Sequence, residues 1–149
     1  MKNTSGALSP PAIIHIVDDD EPVRRALARL VMSLGMEART FHSPREFLDQ
    51  EDLNEVRCML LDVQLPGMSG LDLYEHMVAS GRKVPVIFIT AHPNETSRSR
   101  ARMLDAVAYL EKPFDEQSLL SAIKVALKPS LRSKRRDRSS RALRKPELR

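Results

Sequence analysis

Four short apolar runs in this chain each stop abruptly at a residue that can handle phosphate or metal. Residues 13–17 run into Asp18, Asp19 and Asp20. Residues 59–61 run into Asp62, residues 86–89 into Thr90, and residues 106–110 into Glu111, Lys112 and Pro113. Short apolar runs bounded by turn signals suit fully buried parallel strands. In open parallel sheets, ligands bind at the carboxyl ends of the strands. If these runs are neighbouring strands, several carboxylates, a hydroxyl and an ammonium converge on one edge. That combination suits the transfer of a phosphoryl group onto a carboxylate beside a divalent metal.

The rest of the chain supports such a sheet. It reads as five repeats of strand then helix. Strands are expected near 12–17, 37–42, 57–61, 84–89 and 106–110. Helix one follows the first strand, with apolar Val23, Leu27, Leu30, Val31 and Leu34 on one face. Pro22 suits its first turn, Asp20 and Glu21 its positive end, and Gly35 its stop. The second strand alternates and suits a sheet edge. Ser43, Pro44 and Glu46 read as a capping box opening a short helix over 44–50. Ser69 suits the cap of a helix over 70–80, and Asp115 that of the last helix, whose apolar face is Leu119, Leu120, Ile123 and Leu127. The fourth helix, 95–104, carries Arg98, Arg100 and Arg102 and few apolar positions, so its arginines read as a solvated face. Alternating strands and helices with short links imply right-handed crossovers and a sheet covered on both sides.

Charge divides the chain unevenly. Of 24 cations and 20 anions, ten cations and two anions fall in 128–149, giving that stretch +8 and leaving −4 for the remainder. Any argument about nucleic acid or an acidic partner therefore applies to the tail. The domain expectation is a lead over 1–11, a globular domain over 12–128 and a basic, disordered tail over 129–149. No apolar stretch is long enough to span a membrane, and the N-terminus lacks a secretory h-region. The single cysteine, Cys58, reads as a core residue in a reducing compartment, and a cytoplasmic location is expected. His15 and His42 read as packed or surface histidines, because no spaced Cys or His partners suggest zinc.

The segments IIHIVDDDEPVRRAL, CMLLDVQLPGMSGLDL, VPVIFITAH and AVAYLEKPF, in this order and at these separations, resemble the receiver domain of two-component response regulators. The subclass that usually carries a helix-turn-helix output domain is the most similar. The resemblance covers about residues 12–128. It implies a flavodoxin-like (CheY-like) doubly wound α/β fold: a five-stranded parallel sheet in order 2-1-3-4-5 with helices on both faces. It also implies roles. Asp62 resembles the phosphoacceptor. Asp18 and Asp19 resemble the acidic pair that, with Asp62 and the backbone carbonyl of Gln64, holds Mg2+. Thr90 and Lys112 resemble the residues that contact the phosphoryl group. Thr90 and Tyr109 resemble the switch pair, and Lys112-Pro113 a dipeptide with a cis bond. The phosphodonor would be a histidine kinase, and the chemistry would be limited to self-phosphorylation and dephosphorylation, so the chain is not expected to be an enzyme in the usual sense. Output would pass through the face made by helix 4, strand 5 and helix 5 to a downstream protein or a second copy of the chain.

One departure from the pattern stands out. Leu104-Asp105-Ala106 replaces the Ala-Gly-Ala common in the subclass, and Asp tolerates the left-handed conformation better than most residues. Two other readings stay open at this point. The chain could act as a DNA-directed transcriptional regulator through its basic tail or through an output domain outside this sequence. An acidic cluster also serves dehalogenase-like phosphatases, but those need Asp-x-Asp after the first strand, whereas the nucleophile candidate here follows the third.

Overall fold

The computed structural model describes residues 12–50 and 52–128. The expected lead over 1–11 and the basic tail over 129–149 lie outside the described residues. Five strands, β1 (Ile13–Val17), β2 (Glu37–Phe41), β3 (Met59–Asp62), β4 (Val86–Thr90) and β5 (Ala108–Glu111), form one sheet in order β2-β1-β3-β4-β5. Every neighbouring pair is parallel. Five α-helices alternate with them: α1 (Glu21–Ser33), α2 (Pro44–Gln50), α3 (Gly70–Ala79), α4 (Glu95–Met103) and α5 (Glu116–Ala126).

Strand residues alternate between two cores, as the period of two requires. Val17, Met59, Leu61, Val86 and Phe88 face one core with Phe47, Leu73, Tyr74 and Met77 from α2 and α3. Ile14, Ile16, Leu60, Ile87 and Ile89 face the other with Leu27 and Val31 of α1 and Leu119 and Ile123 of α5. Each fully buried aliphatic chain contributes roughly 1.5–3 kcal/mol of burial, so the central strands β1, β3 and β4 anchor the molecule. Their carboxyl ends inherit that rigidity. β2 lies at an edge, in keeping with its alternating sequence.

The helix ends follow local chemistry. The Asp20, Ser69, Asn94 and Asp115 side chains accept from backbone N–H groups of Val23, Asp72, Ser97 and Ser118, satisfying donors that a helix leaves open. Gly35 takes φ +82 after α1, and Asp105 takes φ +62 after α4, so Asp105 occupies the left-handed turn in glycine's place. The capping box of α2 is shifted. Ser43 Oγ accepts from Glu46 N–H at 3.0 Å, but the Glu46 carboxylate accepts from His42 N–H at 2.7 Å, one residue before the cap.

Element limits differ modestly from expectation. β3 begins at Met59 and includes Asp62; β5 begins at Ala108 and includes Glu111. A short 3-10 turn, Leu53–Glu55, interrupts the link before β3 and was not expected. Arg82 clasps it, donating to the carbonyls of Leu53 and Val56 at 3.0 and 2.7 Å. The arginines of α4 are not simply solvated. Arg98 pairs with Glu95 and Glu111, Arg100 with Asp72 and Glu75 of α3, and Arg102 with Glu95. Among the described residues, no helix is long and apolar enough to cross a membrane.

Candidate functional site

The sheet order brings the ends of β1, β3, β4 and β5 side by side, and with them the acidic and basic residues. Asp18 follows β1 and Asp62 ends β3. Both are buried, and with the exposed Asp19 they place one ligand-type oxygen each within 4.8 Å of one another. Lys112, carried past the end of β5, sets its ammonium 3.0 Å from Asp18 Oδ2 and 3.1 Å from Asp62 Oδ2. Lys112 N–H donates to the Thr90 carbonyl at 2.8 Å, which fixes where the side chain starts. The Lys112–Pro113 peptide bond is cis.

The neighbouring loops hold these carboxylates in place. Asp18 Oδ1 accepts from Asp20 N–H at 2.9 Å, and Asp62 Oδ1 accepts from Gln64 N–H at 3.1 Å. The Arg24 guanidinium donates to the Asp18 carbonyl at 2.7 Å. Gly70 lies so close to the end of β3 that a Cβ there would stand 2.1 Å from the Asp62 carbonyl oxygen. Only glycine permits that approach of α3 to Asp62.

Electrostatics set the protonation. Burial, reinforced by the charge of Asp18, pushes the Asp62 carboxyl from an ordinary 3.8 up to about 6, against the opposing pull of Lys112 and of the Gln64 N–H. Burial alone would lower the Lys112 ammonium, but the hydrogen bond and charge of Asp18, joined by Asp62, outweigh it and hold the lysine above its usual range. Three carboxylates gather here, and the one ammonium beside them contacts two, Asp18 and Asp62. That leaves excess negative charge and hard oxygen donors, which suits a divalent cation with a preference for oxygen. The residues present fit Mg2+.

Thr90 ends β4 on the same edge, and Tyr109 lies within β5, in register with Phe88. The fully buried Thr90 hydroxyl donates to Gln64 Oε1 at 2.6 Å and accepts from His92 N–H at 2.9 Å. The Tyr109 hydroxyl bonds to the Ser97 hydroxyl and accepts from Asn94 N–H at 3.4 Å. The Arg98 guanidinium carbon sits 4.8 Å from the Tyr109 ring centroid, within cation–π range. Sequence reasoning missed Arg24, Asn94, Ser97 and the contact of the Gln64 side chain with Thr90. Their roles depend on rotamers and on contacts distant in sequence.

A family described as the response regulator receiver domain matches residues 14–124. The chain belongs to this family. As a receiver it is a signalling phosphoacceptor module of a two-component system rather than a catalytic enzyme, and the family implies a histidine kinase as its partner. The Response regulator protein TodT of Pseudomonas putida is 40% identical over 117 residues, 78% of this chain and 52% of that protein. The Transcriptional regulatory protein FixJ of Azorhizobium caulinodans is 36% identical over 114 residues, 76% of this chain and 54% of that protein. The chain thus spans about half the length of the curated relatives it matches. Among solved structures, the response regulator StyR superposes with a TM-score of 0.74 at 36% identity, covering 89% of this chain and 67% of that chain.

Proposed function

We propose that Asp62 is the phosphoacceptor of this receiver and that the receiver domain extends over residues 12–128. The observation that carries the first reading is the placement of Asp62: a buried carboxylate at the end of a central strand, 3.1 Å from the Lys112 ammonium and grouped with Asp18 and Asp19. In the transfer, the phosphorus–nitrogen bond of a kinase phosphohistidine breaks and an oxygen–phosphorus bond to Asp62 forms. The imidazole nitrogen leaves with its electron pair. Ionised Asp62 is the form that attacks, and with ionisation centred at about 6 it predominates at neutral pH. Asp18, Asp19, Asp62 and the Gln64 carbonyl would hold Mg2+, which supplies positive charge to offset that of the phosphoryl oxygens. Lys112 pairs with a phosphoryl oxygen as a compact point charge. Thr90 donates its hydroxyl to another.

Phosphorylation then biases a two-state element. Thr90 and Tyr109 are the switch pair, and the face of α4, β5 and α5 is the output surface, open to a downstream protein or a second copy. The setting is cytoplasmic, where a histidine kinase would deliver its phosphoryl group. The test is Mg2+-dependent labelling by acetyl phosphate. Wild type gains one labile phosphoryl group and Asp62→Asn gains none; equal labelling of the variant would refute the assignment.

A second reading concerns output. The +8 charge of 128–149 and the relation to a protein named as a transcriptional regulator favour DNA-directed action, through the tail or through a further domain. The phosphate backbone would supply the attraction.

A further inference from the structure

We propose that the Gln64 side chain is a latch that holds the Thr90 hydroxyl away from the phosphoryl site, so that this receiver resists activation until the latch is broken. The inference rests on the assignment of Asp62 as phosphoacceptor and goes beyond it. Thr90 lies at the end of β4, one residue beyond Ile89, which is in register with Asp62 on the adjacent β3. Its hydroxyl has a single proton, and that proton is donated to Gln64 Oε1 at 2.6 Å. A hydroxyl can also accept, and this one does so from His92 N–H at 2.9 Å. Its capacity to donate is therefore fully used, and an anion on Asp62 can receive the Thr90 proton only if the Gln64 bond breaks.

Gln64 is well placed to hold such a latch. Its own N–H donates to Asp62 Oδ1 at 3.1 Å, which ties its backbone to the reacting carboxylate, while its exposed side chain reaches back to Thr90. The latch also stands at the head of a polar chain. Thr90 Oγ1 accepts from His92 N–H, the Asn94 amide donates to the His92 carbonyl at 3.4 Å, and Asn94 N–H reaches the Tyr109 hydroxyl. Release of Thr90 would therefore be felt along the loop that ends at Tyr109.

Without the Gln64 oxygen, the buried Thr90 donor loses its partner in the resting state and regains one only when a phosphoryl-like anion is present. The net worth of one hydrogen bond sets the size of the effect at about three- to tenfold in activator affinity. The probe is fluoroberyllate in the presence of Mg2+, which mimics an attached phosphoryl group and measures an equilibrium affinity independent of acyl phosphate hydrolysis. Titrations of the full chain by NMR should show Gln64→Ala and Gln64→Met binding fluoroberyllate about three- to tenfold more tightly than wild type. In a Thr90→Val background the same substitutions should change nothing, because the group they release is gone. Gln64 is exposed, and a single cooperative thermal unfolding transition in each Gln64 variant will show that it folds. If wild type binds and the Gln64 variants bind equally or more weakly, or if the gain persists with Thr90→Val, the latch is wrong and the phosphoacceptor reading stands. If wild type itself fails to bind, the Asp62 reading falls and takes the latch with it.

Discussion

At the scale of single residues, the site concentrates negative charge that the fold tolerates only partly. Asp62 ionises at about 6 in the folded chain and at its ordinary 3.8 when unfolded, so between those values the native state holds a proton that the unfolded state has lost. Stability from this group is therefore greatest below 3.8, falls as pH rises towards 6, and stays low above it. The interval corresponds to about 3 kcal/mol. With metal chelated, Asp62→Asn should be more stable than wild type above pH 6 by up to that amount, and the difference should fade towards pH 4. Urea unfolding across this range measures it; an Asn variant that is less stable at every pH would contradict the electrostatic account. The residues of this cluster were legible in the sequence because each sits where a buried run ends. The contacts that orient them were not. Arg24 reaches the Asp18 carbonyl from the next helix, and Gln64 reaches Thr90 across 26 residues. No local pattern signals such rotamer-dependent contacts.

At the scale of elements, the loop after β4 connects the site to the output face. Thr90 holds His92 N–H, and Asn94, the cap of α4, touches the Tyr109 hydroxyl on β5. Ser97 and Arg98 hold the same tyrosine against α4. Loading with fluoroberyllate and Mg2+ should accordingly shift NMR resonances at Tyr109, Asn94 and Ser97 as well as around Asp62. Changes confined to the Asp62 pocket would remove Tyr109 from the switch. Element types and most caps were readable because apolar spacing and the Ser and Asp caps act within a few residues. Asp105 in the left-handed turn after α4 was readable for the same reason. The Leu53–Glu55 turn was not, since three residues carry no periodicity and its clasp comes from Arg82 in a distant segment. The arginines of α4 looked solvated because the acids that pair with Arg100 belong to α3.

At the scale of the whole molecule, an acidic domain precedes a basic stretch, and the parallel order of the sheet gathers four strand ends into one site. Binding of the full chain to duplex DNA should weaken steeply with salt if the basic stretch is an arm for nucleic acid, and deletion of 129–149 should abolish it. Binding that ignores salt, or survives the deletion, would remove the tail from the output. The central claim concerns where the phosphoryl group goes. Phosphorylation with acetyl phosphate and Mg2+, hydride reduction of the acyl phosphate and peptide mass mapping would locate it directly. The modification is expected on Asp62 alone; finding it on Asp18, on Asp19 or on no aspartate would contradict the account.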